Sequence, residues 1–190
     1  MALITIRHER STDIPTRERL LDATLGPARF AKPSERVREG RFAADGLSFV
    51  ASENGRIIGT VRLWNVNAGL GRAALLLGPL AVAADARNRG IGTMLMQRAL
   101  REARARKHGA VLLVGDAPYY GRFGFSTDKT GALRLAGPYE QHRLLGLELK
   151  RGALDGARGV IRASGGRIPK GLPDFLTGAI HAPVPLALVA

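Results

Sequence analysis

A mixed α/β fold, a mostly antiparallel central sheet flanked by helices, is what this sequence predicts, and three observations predict it. Asn54-Gly55 separates two alternating runs, residues 48–53 and 56–64, and Asn-Gly in that setting is the strongest short hairpin signal. A third apolar run, residues 73–83, extends the hairpin into an antiparallel meander. That run then passes through a glycine-rich turn, Arg87-Asn88-Arg89-Gly90-Ile91-Gly92-Thr93, into an amphipathic stretch at 91–107 and a buried-type apolar run at 110–115. Strand, helix, strand over such a span is a right-handed βαβ unit, so one strand pair is parallel.

Taken in order, residues 2–8 alternate and are rich in branched side chains, which makes them the first strand. Asp13-Ile14-Pro15 reads as a helix entry, with Asp13 as cap and Pro15 in the first turn. Leu20, Leu21 and Leu25 then share a face until Gly26-Pro27 stops the helix. Residues 34–39 suit a short second helix inside a polar stretch, 30–47, that otherwise reads as loop. Gly78-Pro79 interrupts the strand at 73–83, and proline inside a strand implies a bulge or a lost ladder bond. The helix after the turn places Ile91, Leu95, Ala99 and Ala103 on one face. Gly109 ends it. Residues 144–150 form another strand and 159–162 a candidate last one. The domain is read as 1–168, followed by a Pro- and Gly-containing tail, 169–190, apolar from 183. An exposed apolar run of that kind is unusual, so the tail is expected to pack on the domain or on a second subunit, which leaves a homodimer open.

With 190 residues, 45% hydrophobic and 24% charged, the chain suits one domain with a real core. It has no cysteine, which excludes disulfides, thiolate metal sites and a cysteine nucleophile. The N-terminal apolar run, residues 1–8, is too short for a signal peptide, and no stretch approaches the length of a membrane span. Cytoplasmic location and no membrane partner are the expectation. The formal net charge of +13 is spread as single arginines, and aromatics make up only 5%. A base-stacking platform is therefore unsupported, and no nucleic-acid partner is expected. The charge suits a solvated surface that could steer an anion toward the chain. His8, His108, His142 and His181 are widely separated, so no metal is expected.

Chemistry concentrates at the glycine-rich turn. Gly90 and Gly92 let the main chain approach a ligand with no Cβ in the way. The helix start that follows offers unpaired N–H groups and the positive end of a dipole. Its flanking charges are Arg87 and Arg89, not the acidic residues usual in a first turn. A phosphate fits. A P-loop is excluded because no lysine follows a glycine, and the dinucleotide fingerprint fails because Leu95 stands where its third glycine would be.

Arg87-x-x-Gly90-x-Gly92 on a strand-to-helix turn resembles the coenzyme A pyrophosphate loop of the GNAT superfamily of N-acetyltransferases, Gln/Arg-x-x-Gly-x-Gly/Ala. A second stretch, Tyr119-Tyr120-Gly121-Arg122-Phe123-Gly124-Phe125, resembles that superfamily's late signature, Leu-Tyr-x-Lys/Arg-x-Gly-Phe. Tyr120 falls on the signature tyrosine and Arg122 on its basic position. The resemblance covers residues 4–149 and is sharp from 80 to 125. It implies that the strand before the loop bulges and splays from its parallel neighbour, leaving a slot for pantetheine, and that residues 30–47 help form the acceptor side of the cleft. One departure is Gly115-Asp116, where the superfamily often has an Asn.

On this resemblance the chain is expected to be an acetyl-CoA-dependent N-acetyltransferase acting by direct transfer to a primary amine, of a small molecule or a peptide. A thioester is already activated, so positioning it beside a free amine supplies much of the acceleration. The implied cofactor contacts are Leu80, Ala81 and Val82 for pantetheine and the oxyanion, Arg87, Asn88, Arg89, Gly90, Ile91, Gly92 and Thr93 for the pyrophosphate, and Tyr119, Arg122 and Phe123 from the late signature. Tyr120 is the implied general acid toward the departing thiolate, with cofactor packing as its other possible role. Tyr119 is expected to point about 100° away from it on a helix. The base is open: Glu53, Asp45, Asp116 and water are the candidates. Two other classes stay open, a non-catalytic coenzyme A-binding module and a basic nucleic-acid binder.

Overall fold

The fold is described from a computed structural model covering residues 3–169 and Gly171; apart from Pro169 and Gly171, the tail read from the sequence lies outside the described residues. The alternating N-terminal run forms β1 (Ile4–His8). After it come α1 (Ile14–Leu25), a 3₁₀ turn (Pro27–Ala31) and α2 (Pro33–Arg38). Asp13 precedes α1 but makes no side-chain cap bond. A 3₁₀ turn (Ser11–Asp13) runs directly into the helix, so Asp13 already has helical backbone angles and its carboxylate turns back. It accepts from Arg7 Nη1 and Nη2 at 2.6 and 2.9 Å and from the Arg10 N–H at 2.8 Å, tying the helix entry to β1.

β2 (Ser48–Glu53) and β3 (Arg56–Ala68) form the expected hairpin. Asn54 and Gly55 have φ of 50° and 79°, the positive pair that a tight turn matched to strand twist requires. β4 (Ala73–Val82) completes the meander. Val61 faces Leu80 while Leu63 faces Leu77, so Gly78 and Pro79 together oppose one residue of β3, Arg62. This is the bulge that the proline predicts. α3 (Ile91–Ala105) then leads to β5 (Ala110–Val114), parallel to β4. The parallel ladder holds only at Leu75↔Val111 and Leu76↔Leu112. Beyond Leu76 the two strands separate.

α4 (Ala117–Gly121), β6 (Leu133–Arg134), β7 (Leu144–Glu148) and β8 (Gly159–Ala163) follow. The sheet order is β1-β2-β3-β4-β5-β7, every neighbour pair antiparallel except β4-β5, with β8 alongside the far end of β3 and β6 alongside β8. Side chains of a strand alternate between faces, and both faces here are covered, which explains the unbroken apolar runs. Leu75, Leu77, Val111 and Leu113 enter one core with Phe49, Leu95 and Met96. Ala74, Leu76, Ala110 and Leu112 enter the other with Trp64, Leu144 and Leu154. On α3 the predicted Ile91, Leu95, Ala99 and Ala103 are buried, and Met96 and Leu100 widen that face.

Candidate active site

The glycine turn adopts the geometry of an anion cradle. Gly90, the residue before the first turn of α3, has φ 76°, and Asn88 two residues earlier has φ 61°. Both lie in the left-handed region, which glycine and, less readily, asparagine accept. A Cβ on Gly90 would meet nothing within 4 Å, so the main chain there faces open space. The first turn of α3 carries no acidic residue. Its N–H groups border a cleft of about 390 Å³, walled by Val82, Arg87, Asn88 and Gly90 through Thr93 on one side and by Tyr119 and Arg122 on the other.

Arg89 lies within the predicted loop but turns away. Its Nη1 and Nη2 donate to Glu53 at 3.0 and 2.5 Å, and neighbouring Arg56 holds Asp85 at 2.6 and 3.0 Å. The two pairs fasten the loop to the β2–β3 hairpin. They hold the Glu53 and Asp85 carboxyls below the usual carboxylate range, chiefly through the hydrogen bonds from Arg89 and Arg56.

The late tyrosine motif folds as the single turn α4, with Pro118 at its start. The Tyr119 and Tyr120 rings meet edge to face at 4.9 Å. Tyr119 does not stand apart: it lines the loop cleft and a second cleft as well. Its hydroxyl would be 2.6 Å from a Cβ on Gly92, so the glycine at 92 admits the tyrosine as well as a ligand. Arg122 donates from Nε to the Tyr119 carbonyl at 3.2 Å and lies over the Tyr119 ring. Phe123 packs against the α3-side core instead of lining either cleft.

The second cleft, about 330 Å³, occupies the gap where β4 and β5 part. Leu77 through Leu80 form one wall and Val114, Gly115 and Asp116 the other, while Ala81 is buried in the core. Tyr120 projects between them. A Cβ on Gly115 would stand 2.2 Å from its Cε2. Glycine in place of the superfamily's frequent Asn thus makes room for the ring. Burial, with smaller contributions from Tyr119 and Asp116, pushes the Tyr120 hydroxyl up to about 12. At neutral pH it keeps its proton, which suits a donor and not a base.

Of the carboxylates considered as bases, Asp116 lines this cleft. Glu53 is held by Arg89, and Asp45 is exposed beside Arg106 at 3.6 Å, outside the cleft lining. The rest of the cleft comes from α2, within the 30–47 stretch expected on the acceptor side, and from the turn before β7, which the sequence reading did not place at the site. α2 supplies Glu35 and Arg38, both buried and paired with each other. The 3₁₀ turn before β7 supplies Arg143. The i,i+3 spacing of Glu35 and Arg38 was a signal that they share a helix face, though not that the face closes a cleft. Among the described residues there is no group of three or more His, Asp or Glu side chains able to hold a metal ion, and no helix is long and apolar enough to cross a membrane.

Comparison with known proteins agrees with this architecture. The family model described as acetyltransferase (GNAT) family matches residues 16–125. An uncharacterized N-acetyltransferase, YhbS, of Escherichia coli K12 is 29% identical over 157 residues, covering 82% of this chain and 93% of its own. The crystal structure of Escherichia coli YhbS in complex with CoA superposes with a TM-score of 0.70 at 28% identity, covering 85% of this chain and 89% of that one. A GNAT family acetyltransferase from Brucella melitensis, solved with acetyl-CoA, shares the fold with a TM-score of 0.56 at 24% identity, covering 80% and 99% of the two chains.

Proposed function

The chain belongs to the acetyltransferase (GNAT) family, and from that premise we propose that it moves an acetyl group from acetyl-CoA directly to a primary amine. The observation that carries this reading is Tyr119, whose side chain borders both the glycine-turn cleft and the β4–β5 gap. The two clefts therefore adjoin. A ligand with its phosphates at the N-terminus of α3 can extend a thioester arm past Tyr119 toward Tyr120.

In this assignment the N–H groups of Gly90, Ile91, Gly92 and Thr93 hold the pyrophosphate, aided by the positive end of α3 and by Arg87 and Arg122. Asn88 shapes the turn, and Arg89 braces it through Glu53. Backbone groups of β4 from Leu80 to Val82, which carry no β5 ladder, would take the pantetheine amides. One N–H among them would stabilise the negative charge that gathers on the carbonyl oxygen. The amine nitrogen bonds to the acetyl carbon and the carbon–sulfur bond breaks. Tyr120 Oη gives its proton to the departing sulfur. The proton lost by the amine passes to Asp116, which makes no ion pair among the described residues and lies close enough to Tyr120 to raise its pKa.

Thiol release from acetyl-CoA across an amine panel tests the reading. Tyr120→Phe should lower turnover about 10²-fold, the low end for general acid catalysis, with acetyl-CoA affinity nearly intact. Tyr119→Phe should instead weaken acetyl-CoA by about fivefold, as loss of one hydrogen bond of ~1 kcal/mol would, with turnover kept. Equal losses from both variants would reduce Tyr120 to a packing role. A wild type that binds no acetyl-CoA would end the proposal.

A further inference from the structure

The charge lining the β4–β5 gap does not match a bare amine. Arg29, Lys32, Arg38 and Arg143 line it against only two carboxylates, Glu35 and Asp116. Of these four cations, Arg38 is the one whose guanidinium stands beside Gly78. Its side chain is 5% exposed. Nη2 donates to Glu35 Oε2, while the buried Nε has no hydrogen-bond partner among the described residues. Nη1 would stand 3.1 Å from a Cβ on Gly78, so the missing side chain at the bulge leaves this corner of the guanidinium beside the gap. The Arg38 guanidinium also lies over the Trp64 ring, 6.0 Å from its centroid, and Trp64 is anchored by Nε1 donating to the Gly78 carbonyl at 2.6 Å. The fork is fixed in place with part of its donor set unused.

Of the other cations lining the gap, Arg143 faces Glu140 at 3.5 Å and Arg29 is engaged by two carboxylates. Arg29, 3% exposed, gives Nε and Nη2 to Asp22 and Glu18, but Nη1 has no partner among the described residues. The Lys32 ammonium makes no ion pair or side-chain hydrogen bond among them. Burial lowers the pKa of Arg38, Glu35 opposes that shift, and Arg29 adds to it. The phosphates of acetyl-CoA cannot answer this charge, since the assignment above seats them in the other cleft, on the far side of Tyr119.

We propose that the acceptor is a small amine that also carries an anionic group, a carboxylate or a phosphonate, and that Arg38 recognises this group. The inference rests on the transferase reading and names its substrate class. A guanidinium pairs with either anion through two parallel N–H donors, a geometry that ammonium groups lack. Lys32 and Arg143 stand at the exposed rim of the gap, where they attract the anion as it enters. The anionic end then sits at α2 beside Gly78, with the amine turned toward Tyr120 and Asp116.

Calorimetry on the CoA-loaded protein tests this, using n-alkylamines against ω-aminocarboxylates and ω-aminoalkylphosphonates of matched lengths. At least one anionic series should bind about tenfold more tightly than its neutral counterpart, and which one does so identifies the anion. Arg38→Gln should reduce that preference to about twofold or less. Because Arg38 is buried, Arg143→Gln provides a second variant at a side chain 46% exposed. It should weaken the anionic series about threefold and leave the alkylamines unchanged, as expected for a rim charge. Equal affinity for charged and neutral amines, no binding by any of them, or a preference that survives both substitutions would overturn the inference. Acetyl-CoA titrated alone separates the two ideas: if it binds and no anion preference is found, only the substrate class falls.

Discussion

Gly115→Ala offers a sharp test of the acid because it moves Tyr120 without changing it. The added Cβ would lie 2.2 Å from Tyr120 Cε2 and 2.7 Å from Cδ2, whereas ordinary contact begins at 3.4 Å. The ring must therefore retreat by about 1.2 Å. Leu113 Cδ1, 3.1 Å from the same Cβ, limits how far β5 can yield. A misplacement of about 1 Å at a reacting group costs on the order of 10²-fold in rate, and overpacking costs about 1–3 kcal/mol in stability. Thiol release, with an amine that the wild type acetylates, should fall by that factor while acetyl-CoA affinity holds. A melting curve establishes that the variant is folded. Tyr120→Phe added to Gly115→Ala should cost little more, because a misplaced hydroxyl no longer donates; residues acting as a unit are non-additive. A folded Gly115→Ala protein with wild-type turnover would refute the reasoning, and so would two independent, multiplying losses.

Two further outcomes follow from the site. Gly90→Glu forces a side chain into a backbone with φ 76° and sets a carboxylate against the phosphate cradle; acetyl-CoA binding by calorimetry should weaken at least tenfold, and unchanged affinity would remove the loop from the site. Tyr120 should also make the fold alkali-sensitive. Its hydroxyl rises from an ordinary 10.0 to about 12 in the folded chain, mainly by burial. The native state thus holds the proton more tightly, and the associated stability is complete below pH 10 and lost as pH climbs toward 12. At about 1.36 kcal/mol per pH unit, that is up to roughly 2–3 kcal/mol. Urea unfolding at pH 9 and pH 11 should show wild type losing more stability than Tyr120→Phe over that interval, and parallel losses would contradict the burial.

The parts of the molecule legible in the sequence are those whose cause is local. Asn54-Gly55 dictates its own turn, Gly78-Pro79 its own bulge, and Gly90 its own left-handed entry to α3. The wall facing Tyr120 is different. Glu35 and Arg38 reach the gap because α2 lies over it, and Arg143 because β7 returns along β5. Neither placement is written in the spacing of those residues. Arg89 shows the same limit from the other side: its position in the motif suggests a ligand, yet Glu53, 36 residues earlier, takes both of its terminal nitrogens. Asp13 holds the cap position of α1, but its carboxylate is claimed by Arg7 on β1, a partner that helix-entry spacing does not reveal.

The pairing of β7 with β5 has a consequence for any shortened version of this chain. The glycine turn at the start of α3 and the tyrosine turn both lie before Phe125, where the family match also stops. A fragment ending there would look sufficient for ligand capture. It would, however, lack the partner that zips along β5 from Ala110↔Glu148 to Val114↔Leu144. The strand left bare reads Ala-Val-Leu-Leu-Val, without a charge, a proline or a bulge to blunt it. An open edge of that kind templates pairing with other chains. During synthesis on the ribosome the same edge is unguarded until residue 148 has emerged, which makes β7 a gatekeeper of solubility as well as a strand of the sheet.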